Sequence, residues 1–144
     1  VVLMTVEGRA FPGGTYRITR QENAALCEAV GAAPDPNGRA HPIFYYVATQ
    51  VGMGMTVAGL LDLCDFDVND GPMMTGSSAS FAGDLLIETD YRIDGEIVSL
   101  TRKPSRTFGF ADTLRFRLRM TPGGGVPVLE CVNEWILPRR HAAA

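Results

Sequence analysis

The chain is poor in the residues that most directly carry chemistry. Only two histidines occur in 144 residues, and one of them, His141, is the fourth residue from the end. Three cysteines (Cys27, Cys64, Cys131) are odd in number and far apart, with no CxxC pair. That suggests neither a disulfide framework nor a zinc site, and leaves the expectation of buried free thiols in a reducing cytoplasm, with no metal. A net charge of −3 and the lack of a basic tail argue against nucleic acid as a partner. The opening VVLMTVEGRA has neither the basic start nor the sustained apolar run of a signal peptide. Ser77, Ser78 and Ser80 sit in a small-residue run without a GxSxG elbow, so serine hydrolysis is poorly supported. There is no repeat and no dividing linker. The expectation is one domain over 1–140, with the terminal HAAA (141–144) a frayed end or an appended scar.

One further absence shapes the fold. Residues 42–61, PIFYYVATQVGMGMTVAGLL, contain no Asp, Glu, Lys or Arg. The length suits a bilayer. Thr49, Gln50, Thr56 and three glycines dilute it, however, and no Lys/Arg cluster flanks it. A core helix over 42–65 is the better reading if the rest of the chain can cover it. Before it, Thr15–Ile18 reads as a short strand. Thr19-Arg20-Gln21-Glu22 reads as a capping box opening a helix over 20–30 that ends at Gly31. After Gly71, alternation and turn signals give strands over 74–81, 85–94, 96–107, 110–120 and 127–137, with a turn at Asp94-Gly95. Such a sheet has one apolar face, and the 42–65 helix is what can cover it. The fold class is α+β, a long central helix wrapped by a bent antiparallel sheet.

That arrangement resembles the hot-dog fold. SFAGDLLIETDYRIDGEI (80–97), with an aromatic followed by a Gly-Asp turn and a strand, resembles the MaoC-like dehydratase and hydratase family. SLTRKPSRTFGFADTLRFRLRM (99–120) and PVLECVNEWILPR (127–139) resemble its two long closing strands. The capped helix after TYRITRQE is similar to that of the fatty-acid-synthase-type dehydratases. The resemblance spans roughly 11–139. It implies addition or removal of water on acyl chains carried as thioesters of coenzyme A or acyl carrier protein, with no resident cofactor. It also implies dimers, homo- or heteromeric with another hot-dog subunit. The family's catalytic element resembles Asp-x-Asn-Pro-x-His. Here Asp35-Pro36-Asn37 matches, Gly38 replaces the proline, and His41 falls one residue late. Either His41 is a displaced catalytic histidine, or Ala40-His41-Pro42 corresponds to the Ala-His-Gly that opens the central helix and the catalytic overhang has been shortened away.

Hydration of an enoyl thioester needs a base for water, an acid for the α-carbon and donors for the thioester oxygen. His41 is the one non-terminal candidate for a histidine base, with Asp35 orienting it or sharing proton transfer. The plainer alternative is that His41 borders a helix start and Asp35 serves the PDPNG turn. Asn37 belongs to the same element. Met53, Met55, Met73 and Met74 suit an adaptable acyl tunnel, or ordinary core filling. Arg102, Lys103 and Arg106 could meet coenzyme phosphates, or are solvated strand charges. Three functions follow in order: a hydratase/dehydratase, a non-catalytic hot-dog subunit that binds acyl thioesters beside a catalytic partner, and an acyl-thioester thioesterase using Asp35.

Overall fold

The computed structural model describes residues 6–140; the first five residues and the HAAA tail, His141 included, lie outside them. The chain begins with β1 (Gly14–Arg17) and α1 (Arg20–Ala29). Thr19 caps α1 by accepting from the Glu22 N–H at 3.0 Å, and Gly31 ends it with φ of 74°. Only half of the expected capping box forms. The Glu22 carboxylate turns away from the cap and accepts from the Tyr16 hydroxyl. The Arg20 N–H is satisfied from outside, by Glu88 at 2.6 Å.

The uncharged segment is not one helix. It forms α2 (Phe44–Gly52) and α3 (Val57–Leu63), bent by 65°. The break has a local cause. Gly54 has a φ of 85°, and a Cβ there would lie 2.5 Å from the Gly13 carbonyl oxygen. The Gly13 N–H takes the Met53 carbonyl at 2.9 Å, so the N-terminal loop replaces a helical hydrogen bond. Thr56 then caps α3 through the Gly59 N–H at 3.0 Å. Among the described residues no single helix is long and apolar enough to cross a membrane. α2 instead packs against β1, β3, β4 and β5, with Phe44, Ala48, Thr49 and Gly52 buried. At Gly52 a Cβ would stand 2.5 Å from Cγ1 of Ile93, so the glycine sets how closely helix and sheet approach.

The sheet contains β2 (Met73–Phe81), β3 (Asp90–Ser105), β4 (Gly109–Pro122) and β5 (Leu129–Pro138), antiparallel in the order β1-β3-β4-β5-β2. Two expected strands, 85–94 and 96–107, are corrected to one. Residues 82–89 are a loop in which Glu88 has a φ of 58°, and β3 runs straight through Asp94-Gly95. Gly95 marks close approach, not a turn: a Cβ there would collide with the Arg117 carbonyl of the neighbouring strand. Core-facing positions of β4 alternate as Leu114, Phe116, Leu118 and Met120, all fully buried. The opposite face carries Glu96, Arg117, Arg119 and Glu130 in ion pairs.

Candidate active site

Asp35 and His41 sit on the loop between α1 and α2. The sequence PDPNG makes the loop turn on itself. Asp35 Oδ1 accepts from the Asn37 N–H at 3.0 Å, and the Gly38 N–H bonds the Asp35 carbonyl at 3.2 Å. Gly38 takes a φ of 84°, a conformation in which the family's proline cannot stand. The loop is then stitched to residues 85–87. The Ala40 N–H donates to the Leu85 carbonyl at 2.7 Å and the Ile87 N–H to Gly38 at 2.9 Å.

His41 is held from two sides. Its N–H donates to Oδ1 of the buried Asn23 on α1 at 2.9 Å. Its ring Nδ1 accepts from the Ile43 N–H at 3.1 Å, one of the unpaired donors at the start of α2. A ring that accepts at Nδ1 is the neutral tautomer with its proton on Nε2. The Asp35 carboxylate pairs with Arg39, whose guanidinium also reaches Asp84 at 4.0 Å. The Asn37 N–H first, and then Arg39, hold the Asp35 carboxyl below the usual carboxylate range.

These groups meet at one cavity of about 470 Å³, lined by Cys27, Ala33, Asp35, Arg39, Ala40, His41, Pro42, Phe81, Asp84 and Leu85. Its walls are mostly apolar, and its charges are concentrated on Asp35, Arg39 and Asp84. The structure therefore brings Asp35 and His41 together. Asn37 contributes its backbone to the turn. Met53 is fully buried core and Met55 packs beside it; neither lines the cavity. Met73 and Met74 are exposed on β2. Arg102, Lys103 and Arg106 lie toward the β3–β4 hairpin, where Ser105 pairs with Gly109. The cavity is at the other end of the sheet, where Phe81, Leu129 and Met120 stand in register. Arg102 is committed to the fully buried Asp112 at 2.8 Å, a carboxylate it shares with Arg139.

Sequence reasoning missed Asn23, Arg39 and Phe81. The Asp35–Arg39 spacing of four was a readable signal for an ion pair. Nothing in the sequence ties Asn23 to a residue eighteen positions later.

The architecture matches several solved structures. The ChsH1–ChsH2 complex from Mycobacterium tuberculosis superposes with a TM-score of 0.71 at 16% identity, covering 94% of this chain and 87% of that one. A MaoC-like dehydratase from Rhodospirillum rubrum gives 0.67 at 13% identity, covering 99% of both. The chain has the hot-dog fold. A third hot-dog structure, the C-terminally truncated HadBC (3R-hydroxyacyl-ACP dehydratase) complex from Mycobacterium tuberculosis, gives 0.67 at 16% identity, covering 91% of this chain and 96% of that one. At such identities the likeness is one of fold. No protein-family model matches the sequence, and no curated protein matches it.

Proposed function

We propose that this hot-dog chain binds an enoyl or 3-hydroxyacyl thioester in the cavity beside α2 and adds water to it or removes it. The observation that carries this reading is that Asp35 and His41 line one mostly apolar cavity. The hydrogen bonding favours roles other than those expected from composition. His41 uses Nδ1 on Ile43, so its Nε2–H is the group free to donate to the thioester oxygen as enolate charge develops there. Asp35 is then the proton carrier. Its carboxylate takes a proton from water as the oxygen bonds to the β-carbon, and returns that proton to the α-carbon, leaving the carboxylate as it began.

His41→Ala is expected to lower turnover of a trans-enoyl thioester by about 100-fold, and Asp35→Asn by at least as much, with unchanged circular dichroism. Activity that survives both substitutions would remove the site from this cavity.

A second reading has its own support. Both Asp35 oxygens are engaged, by Asn37 and by Arg39, which weakens the carboxylate as a base. Two of the similar structures are complexes of paired chains. In this reading the chain holds the acyl thioester while a partner hot-dog subunit supplies the catalytic groups. Thioester binding by the isolated chain without turnover, with turnover restored by a partner, would select it.

A further inference from the structure

Phe81 is the residue of β2 that lines the cavity, and the row behind it on the same face of the sheet is not wholly apolar. Residues directly opposite on paired strands share a face. Phe81, Ala79 and Ser77 of β2 stand opposite Leu129, Cys131 and Asn133 of β5, and these stand opposite the buried Met120, Leu118 and Phe116 of β4. Phe81, Ala79 and Ser77 thus form one core-facing row, and behind the phenylalanine that row carries only small side chains. Tyr45 of α2 covers it, with its ring edge-on to Phe81 at 6.3 Å. Phe81 is 45% exposed, with Tyr45 against one side of its ring.

At the inner end the row turns polar. Ser77 Oγ bonds Asn133 Oδ1 at 2.6 Å and Tyr45 Oη at 2.9 Å. Asn133 is 0% exposed, and its Nδ2 finds no hydrogen-bond partner among the described residues. A buried amide with two unused donors costs stability. Leucine would carry no unused donor there, and Ser77 Oγ would keep Tyr45 Oη as its partner.

We propose that the acyl group runs from the cavity past Phe81, along Ala79 and Ser77, and ends at the Asn133 amide, and that this end selects an acyl chain carrying a carbonyl or hydroxyl oxygen over a plain hydrocarbon. The proposal rests on the thioester-binding reading for the identity of the carrier, but not for the oxygen selection. An oxygen at the right depth accepts from Asn133 Nδ2. An alkyl chain there leaves the amide unpaired.

The test uses pantetheine thioesters, the part common to both carriers, in matched pairs: a hydrocarbon acyl chain and the same chain with one keto oxygen stepped along its length. One keto member is expected to bind about tenfold more tightly than its hydrocarbon, the value of roughly one hydrogen bond. Asn133→Leu and Ser77→Ala are expected to bring that ratio close to one. Asn133→Leu is also expected to raise the melting temperature, which a purely structural asparagine would not do. Free methyl ketones are to be titrated in parallel while the Asn133 side-chain amide resonance is followed. If hydrocarbon and keto thioesters bind equally at every position, the proposal is overturned. If no thioester binds but ketones still shift the Asn133 amide, and Asn133→Leu abolishes their binding, the oxygen site stands and the thioester reading falls. If neither binds, both fall.

Discussion

At the scale of single residues, the strongest commitments lie away from the cavity. Asp112 is fully buried and accepts from Arg102 and Arg139, each at 2.8 Å. Arg139 also donates to the Cys64 and Asp65 carbonyls at the end of α3 and stacks on Phe66, so one carboxylate ties the sheet to that helix. Asp112→Ala leaves two guanidinium groups without their buried partner. It is expected to cost about 3–5 kcal/mol in urea denaturation. The surface carboxylates predict a pH dependence. Arg119 holds Glu96 below its ordinary value, and Arg17 does the same for Asp90. A carboxyl whose folded value is depressed adds stability that is present above the unfolded value and is lost as pH falls through the folded one. The melting temperature is therefore expected to hold near neutral pH and to fall below about pH 4. Glu96→Gln should make that fall shallower.

At the scale of elements, two glycines decide how the parts meet. Gly95 lets β3 continue where the sequence suggests a hairpin, because the β4 backbone occupies the space of a Cβ. Gly95→Ala is expected to abolish cooperative folding or lower the melting temperature severely. Gly52→Ala pushes on Ile93, a branched side chain packed in the core, and should cost about 1–3 kcal/mol through overpacking. If both substitutions are silent in thermal melts, the close helix–sheet and strand–strand approaches described here are not what holds the fold.

At the scale of the whole molecule, the sheet ends in two edges, β1 and β2. β1 has four residues, but β2 has nine, MMTGSSASF, with no charge and no proline. Met73 and Met74 on it are 41% and 47% exposed. Natural edge strands are blunted by charge, proline or a covering element, and β2 has neither charge nor proline. The expected consequence is pairing with a second hot-dog chain along β2. Sedimentation at micromolar concentration should give a dimer for the wild type or for a co-expressed pair, and Ser78→Lys with Ser80→Lys should dissociate it. A wild-type monomer that finds no partner would count against edge pairing.

The sequence by itself determined what depends on local order. Alternation at 114–120 fixed β4, the Thr19 hydroxyl and Gly31 bounded α1, and the uncharged run marked what the sheet must cover. The Asp-x-Asn match drew attention to the loop that lines the cavity. Tertiary structure decided what depends on distant atoms. Gly54 breaks the apolar segment because the Gly13 backbone lies against it, and Gly95 is straight because β4 lies beside it. In a sequence, a glycine required by a neighbour looks the same as a glycine required by a turn. The same holds at the cavity. Asn23 reaches His41 across eighteen residues, Ile43 takes the ring nitrogen that a histidine base would use, and Asn133 meets Ser77 only because β5 pairs with β2. Hydrogen bonds between remote segments leave no periodic trace, so composition could propose the residues but not their roles.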